Sequence, residues 1–220
     1  MRHGIRFFVP TISSRLLLIS GFLLSGCGSP GTGNHPTGIP IIDAARNGDV
    51  KTVIRIVDAD KSALKQVDDK GLNAAHWAIL CETDSVFFAL AERGYPLDDP
   101  EILVCCCSRA SSAKILDYVL QHGSNPNRQI GEGWTALNMA VNNGFDELVD
   151  VLLKHGVDLK LKDGRGKDAF ETLDDTISFI NDPHSIWRHE NAPSEKQVTE
   201  ALARPKALKQ KLEAFLKTTK

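Results

Sequence analysis

The stretch that decides the fold is Gly133-Trp-Thr-Ala-Leu-Asn-Met-Ala-Val-Asn-Asn-Gly144, followed directly by Phe145-Asp-Glu-Leu-Val-Asp-Val-Leu-Leu-Lys-His-Gly156. Its Val and Leu residues recur at the i, i+3 and i+4 spacing that builds one buried helix face. Glycines before, between and after the two segments supply turns with positive φ. The stretch therefore predicts two short helices joined by a tight loop.

Shifted copies of this stretch occur along the chain, which is the signature of a repeat architecture. Moving back by 62 positions aligns Gly71 with Gly133 and Ala78 with Ala140, and moving back by 33 aligns Cys107 with Ala140. The Cys105–Cys107 run thus falls on a first helix. The remaining copies are an opening one at residues 41–53, a weak one at 99–127 and a closing one that begins at Gly166.

The quoted stretch resembles the ankyrin repeat in its turn, first helix, short loop, second helix and closing Gly. The copy Ala74-Ala75-His76-Trp77-Ala78 keeps only the His and the last Ala of the family's Thr-Pro-Leu-His-x-Ala motif. The resemblance implies an all-α ankyrin-repeat solenoid of about four to five helix-turn-helix repeats, in which neighbouring repeats share one core. It also implies that His76 is structural and hydrogen-bonds the backbone of the turn.

The C-terminal part departs from the repeat and predicts a helical cap. Asp168 is placed to be the N-cap of a helix that runs to about Ile180. An irregular insertion follows over Ile180–Pro193, and Ser194-Glu-Lys-Gln197 forms a capping box for a further helix. We expect Pro205 to break or restart that helix before Lys206–Lys217.

The N-terminus has the three zones of a secretory signal: basic Arg2, Arg6 and Arg15, an apolar run over 16–24, and small residues before Cys27. The apolar run is about half of what a membrane-spanning helix needs. Leu24-Ser25-Gly26-Cys27 resembles the lipobox of bacterial lipoproteins, which implies lipidation of Cys27. With no Asp after Cys27, the resemblance implies an outer-membrane lipoprotein that faces the periplasm. An ordinary signal peptide with a chance Cys is the alternative.

These features predict three segments: a signal peptide at 1–26, the lipidated Cys and a flexible tether at 27–38, and the repeat domain at 39–220. The tether prediction rests on the Gly, Pro, Ser and Thr content of its residues. Export would leave 23 basic against 28 acidic residues, a net charge of about −5. Such a chain has no reason to bind nucleic acid. We expect a monomer that binds a protein partner and the membrane through Cys27.

Motifs that would carry chemistry are weak. The sequence has no nucleophile elbow, phosphate-cradling loop, His-Glu-x-x-His or Cys-x-x-Cys motif, so we predict no enzyme, no cofactor and no metal. A thiol–imidazole pair of Cys105–Cys107 with His76 and a metal shared by His122 and His155 are the less favoured alternatives. A disulfide from Cys81 to Cys105 or Cys106 stays open.

The ankyrin resemblance implies partner contacts on the concave face, at the residue after the turn Gly and late in the first helix. Trp134 is the sharpest candidate, because Trp is enriched at binding hot spots, although packing onto the neighbouring hairpin would also explain it. The predicted partner-binding residues are Arg46, Asn47, Leu72, Leu80, Glu101, Arg109, Trp134, Asn142 and Asn143, with Cys81 and Ala110 beside them.

The function predicted from these observations is a lipid-anchored periplasmic adaptor or inhibitor, of the kind that acts as an immunity protein against a toxin. Protection or assistance of a periplasmic enzyme is the nearest alternative. Two others differ in class: a cell-wall hydrolase with its site in the Ile180–Pro193 insertion, and an envelope protein that binds peptidoglycan. Acidic charge on the chain favours a basic patch on the partner.

Overall fold

The computed structural model describes residues 36–109, 112–130, 133–182 and 195–218. The signal peptide, Cys27 and most of the tether lie outside the described residues, as do Ala110 and residues 183–194 of the insertion. The chain divides into two compact units, one ending at Asn125 and the other continuing from Pro126. The prediction of one repeat domain over 39–220 stays a prediction.

The first unit consists of three helix pairs. The first helices of the pairs, α1, α3 and α5, pack on one another in sequence, and the second helices α2 and α4 also pack together. A short 3-10 helix over Lys61–Lys65 follows α2. The α-helices are α1 (Pro40–Arg46), α2 (Val50–Ala59), α3 (Ala74–Leu80), α4 (Asp84–Glu92), α5 (Pro100–Cys107) and α6 (Ala113–Gln121).

Side-chain caps fix where these helices begin. Asn73 caps α3 by accepting from the N–H groups of Ala75 and His76, and Asp99 caps α5 by accepting from the Glu101 N–H. Each cap satisfies a backbone donor that the first turn leaves without an intrahelical acceptor. The weak third copy is therefore a folded helix pair, and the Cys run lies on its first helix as predicted.

The second unit opens with a small hairpin and ends with two longer helices. Strands β1 (Gln129–Ile130) and β2 (Trp134–Thr135) pair antiparallel, with Ile130 opposite Trp134. The α-helices that follow are α7 (Ala136–Asn143), α8 (Asp146–Lys154), α9 (Ala169–Asn181) and α10 (Glu195–Thr218).

The predicted start of α9 is confirmed, and the predicted break at Pro205 is wrong. Asp168 and Glu171 form a reciprocal capping box at the first turn of α9. Pro205 lies inside α10, which continues without interruption from Glu195 to Thr218. An internal Pro costs about 3 kcal/mol, and burial of apolar residues on both sides of it offsets that cost, namely Ala201, Leu202, Leu208 and Leu212.

Candidate functional site

Polar side chains lie at the ends of the first helices in the first unit. Asn47 follows α1 and is exposed, whereas the guanidinium carbon of Arg46 lies 4.5 Å from the centre of the Trp77 ring. Arg109 follows α5, and its Nη1 lies 3.6 Å from Oε1 of Glu82. The helix α3 packs against both α1 and α5. The residues that follow α1 and α5 therefore belong to one row of helix ends.

Three of the predicted partner-binding residues are core residues instead. The exposed fractions are 7% for Leu72, 1% for Leu80 and 7% for Trp134. The surrounding fold covers them, so little of each side chain is left for a partner to touch. The expectation that Leu72 and Leu80 extend an apolar binding stripe is therefore wrong in this conformation.

Trp134 is explained by packing at its own hairpin. It pairs with Ile130 across the two strands, and the guanidinium carbon of Arg165 lies 4.1 Å from the centre of its ring. Arg165 is held there by two hydrogen bonds to Oδ2 of Asp163, at 2.9 and 2.7 Å. Of the two alternatives stated for Trp134, the structure favours packing.

The remaining predicted contacts keep some exposure. Glu101 is half-buried in the first turn of α5, where it lies beside the capping Asp99. Asn142 is half-buried and Asn143 is exposed at the end of α7 in the second unit. The exposed or half-buried polar members of the predicted set are thus Arg46, Asn47, Glu101, Arg109, Asn142 and Asn143.

A buried polar network joins the second and third repeats of the first unit. His76 accepts the backbone N–H of Asn73 at Nδ1, which leaves Nε2–H to donate to Asp99 Oδ2 at 3.1 Å. Tyr95 donates to the same carboxylate oxygen at 2.5 Å and accepts from the Asn73 amide at 2.9 Å. The predicted structural role of His76 in the turn is confirmed.

The network controls the ionisation of its members. Burial alone would raise the pKa of Asp99, but the hydrogen bonds from His76 and Tyr95 outweigh it and hold that pKa at about 2. Burial, together with the bond to Asp99, raises the pKa of Tyr95 above its ordinary value. Asp99 is therefore ionised and Tyr95 neutral at physiological pH. The ionised carboxylate can accept the hydrogen bonds of both His76 and Tyr95.

The three neighbouring thiols are inert packing groups. Cys105, Cys106 and Cys107 are buried and form no disulfide, so the disulfide from Cys81 to Cys105 or Cys106 is not formed. Burial raises the pKa of all three thiols, to about 12 for Cys107. Because the thiolate is the nucleophile, the thiol–imidazole alternative has no reactive partner for His76.

The described ranges contain neither a candidate metal centre nor a candidate membrane span. No group of three or more His, Cys, Asp or Glu side chains converges there in a way that could hold a metal ion. None of the described helices combines the length and the apolar character that crossing a bilayer requires.

Sequence reasoning did not single out Glu82, which the structure does. Glu82 has a φ of 58°, the one positive φ at a non-glycine residue in the described part of the chain. The corresponding positions of the first and fourth repeats hold Gly48 and Gly144, with φ of 71° and 68°. The sequence does contain a signal for this position. A shift of 96 residues aligns Gly48 with Gly144, and the shift of 62 residues places Glu82 where these repeats have Gly.

Comparison with known proteins identifies the repeats. Residues 84–163 match the family model described as ankyrin repeats (3 copies), so the chain contains ankyrin repeats and its fold class is all-α, as predicted. Ankyrin repeats are protein-interaction modules, and the comparisons indicate no catalytic family.

Similar proteins share short segments with this chain. A potassium channel, AKT1, of Oryza sativa subsp. indica is 33% identical over 31% of this chain and 7% of its own length. The putative ankyrin repeat protein L92 of Acanthamoeba polyphaga mimivirus is 30% identical over 32% of this chain and 17% of its own. The B-cell lymphoma 3 protein homolog of Mus musculus is 28% identical over 56% and 26%. The chain thus spans about a quarter or less of each of these relatives.

Proposed function

We propose that this chain is a lipid-anchored adaptor or inhibitor that binds a protein in the bacterial periplasm. The observation that carries the proposal is the row of polar residues at the ends of α1, α3 and α5, on ankyrin repeats whose apolar faces are already buried. Arg46, Asn47 and Arg109 belong to this row. A repeat unit with a filled core and a polar row offers directional contacts to a partner rather than a cavity for a small molecule.

The location in the proposal is supported by the N-terminal sequence. The basic, apolar and small-residue zones resemble an export signal, and Leu24-Ser25-Gly26-Cys27 resembles a lipobox. Several acyl chains on Cys27 would hold the protein stably at the outer membrane. Labelling with a palmitate analogue tests this: label that enters the wild-type chain and is absent from Cys27→Ser supports the anchor, and equal label in both contradicts it.

The charge of the chain supports a basic partner. A net charge of about −5 after export would speed encounter with a positively charged protein at low ionic strength. Small acidic lipoproteins of this kind are suited to neutralise a toxin, which makes the immunity role the favoured form of the proposal. Protection of a periplasmic enzyme would use the same surface.

The experiment that tests the proposal is capture of envelope proteins from the chain's own species. A variant of Trp134 would not test the binding surface, because removal of this buried Trp would unfold the hairpin. Asn47→Arg alters the exposed row instead, and Gln121→Arg is its matched control because Gln121 lies exposed at the end of the second helix α6. One protein retained by the wild type and Gln121→Arg, and lost with Asn47→Arg, is the expected result.

Two results would contradict the proposal. If all three chains retained the captured protein equally, the ends of the first helices would not be part of the binding surface. Retention of no protein, with co-sedimentation of the wild-type chain on purified cell wall, would replace protein binding by peptidoglycan binding.

A further inference from the structure

Glu82 occupies a backbone conformation that suits glycine. Its φ of 58° lies in the left-handed region, where the Cβ of an L-residue crowds the backbone and only glycine enters freely. Gly48 and Gly144 fill the same place in the first and fourth repeats. The turn between the two helices of a repeat therefore requires this conformation, and the second repeat adopts it with a strained residue.

The contacts of Glu82 within the chain do little to offset that strain. Its carboxylate faces Arg109, with Oε1 and Nη1 3.6 Å apart, which is longer than a hydrogen bond. The Glu82 side chain is 54% exposed, and ion pairs at such exposure contribute little to stability because water screens them. A glycine here would serve the fold better than this glutamate does.

The turn nevertheless holds the backbone of Glu82 in a defined place. Thr83 shares its hydroxyl proton between the carbonyl oxygens of Ala45, at 3.0 Å, and Ala78, at 3.2 Å. The Thr83 N–H also donates to the Ala78 carbonyl. These bonds tie the turn after α3 to the end of α1, so Glu82 projects from a fixed backbone rather than from a mobile loop.

The group that this turn offers to solvent is an anion. Arg109 is only 13% exposed and Glu82 is 54% exposed, so the carboxylate is the more accessible charge of this pair. Residues 36–125 contain 13 Asp and Glu against nine Lys and Arg, and the surrounding field therefore favours the approach of a positive group. Because the turn itself is already ordered, a Lys or Arg side chain that binds this carboxylate would order only the Glu82 side chain and not the backbone.

We propose that Glu82 is a partner-contact residue that receives a Lys or Arg side chain of the bound protein. This inference rests on the proposed function, and it adds a specific residue and a specific chemistry to it. It also accounts for the strain: the carboxylate is kept for binding at the expense of the turn.

The test separates stability from binding in matched variants. Glu82→Gly removes both the strain and the carboxylate, so its Tm should rise while its affinity for the purified captured protein falls by about tenfold. Glu82→Gln keeps the side chain and removes the charge, so its affinity should fall while its Tm does not rise. Glu92→Gln is the control, because Glu92 is 73% exposed on α4 and lies 3.9 Å from Arg93; its affinity should match the wild type.

The outcomes that overturn the inference are specific. Glu82→Gly that raises the Tm without weakening binding would show a strained residue with no role in partner contact. A Glu82→Gly variant whose Tm is unchanged or lower would show that Glu82 is not strained in the wild type, and the inference would then lose its basis. Failure of the wild-type chain to retain any protein would instead overturn the proposed function. This result is distinguishable from the others because it is observed with the wild-type chain alone, without any Glu82 variant.

Discussion

The two units use the same repeat position in chemically different ways. In the first unit His76 links its repeat to the next through the carboxylate of Asp99. In the second unit Asn138 takes that position, and its amide donates to the Lys167 carbonyl at 2.7 Å and lies 3.4 Å from the Thr172 hydroxyl. Both residues join consecutive repeats, but only the first link contains an ionisable pair.

A second contrast lies in the charge of the two parts. Residues 36–125 have 13 acidic and nine basic residues, whereas residues 126–220 have 15 and 14. The first part is therefore the acidic one, and it also contains the strained Glu82. The difference teaches that the excess of acidic residues and the strained turn fall in the same unit, so the proposed binding of a basic partner concerns the first unit.

The largest expected effect concerns the tryptophans of the two units. Trp77 and Trp134 are both buried, and a guanidinium carbon lies 4.5 Å from the ring centre of Trp77 and 4.1 Å from that of Trp134. Trp134→Ala should therefore destabilise the chain by about 3–5 kcal/mol, as removal of a buried Trp does. Urea unfolding measures this, and Trp77→Ala should lose a similar amount. A loss below about 1 kcal/mol with weakened partner binding would restore Trp134 as a contact residue.

The next effect breaks the contrast between His76 and Asn138. His76→Ala should cost about 3 kcal/mol, because it leaves the half-buried carboxylate of Asp99 without one of its donors, and hydrogen bonds to charged groups are the stronger ones. Asn138→Ala should cost about 1–2 kcal/mol, because its amide bonds to the neutral Lys167 carbonyl and Thr172 hydroxyl and the Asp163 carboxylate beside it keeps Arg165 as a donor. Equal losses in urea unfolding would show that the charge of Asp99 adds nothing to the link.

A smaller effect is the acid sensitivity of the first unit. The pKa of Asp99 is depressed to about 2 in the fold, and about 3.9 is usual for an unfolded chain. The stabilisation from Asp99 is thus full above about pH 4 and is lost as the pH falls toward 2, by about 2 kcal/mol. The stability of Asp99→Asn should fall less steeply over this range than that of the wild type. An identical slope would place the acid sensitivity elsewhere.

The smallest effect sharpens the comparison of Glu82 with its glycine counterparts. Gly144→Ala should destabilise by about 1 kcal/mol, because its φ of 68° disfavours a Cβ. The added Cβ would also lie 2.8 Å from Cδ of Arg204, whose long side chain can move away. Thermal unfolding measures the change. A Gly144→Ala variant that is more stable than the wild type would show that this turn tolerates a side chain. Glu82 would then not be strained by its positive φ.

The repeat register made much of the fold predictable. The Gly and Ala positions located the helix pairs, including the weak copy at 99–127, and Asp168 was found as the cap of α9. The structural role of His76 followed from its place in the motif. Pro205 was misjudged, because a local rule about proline cannot include the burial of Ala201 and Leu208 that keeps α10 continuous.

The candidate site was less predictable from the same pattern. Repeat position identified Asn47 and Arg109 correctly as polar residues at the ends of first helices, but it also selected Leu72 and Leu80, which the fold buries. Whether a side chain is exposed depends on its neighbours from other repeats. The sequence around an exposed position of a repeat resembles the sequence around a buried one, so it does not tell them apart. Glu82 was missed because its φ, not its residue type, distinguishes it.

The sequence by itself determined that this chain contains ankyrin repeats, where the helix pairs lie, that Asp168 caps α9 and that His76 is structural, because helix periodicity, caps and turn glycines act over a few residues. Only the tertiary structure decided which predicted contact residues reach solvent, that Cys105–Cys107 are buried without a disulfide, and that Glu82 is strained beside Arg109. These properties arise where repeats meet, between residues far apart in the chain, and no local pattern contains them.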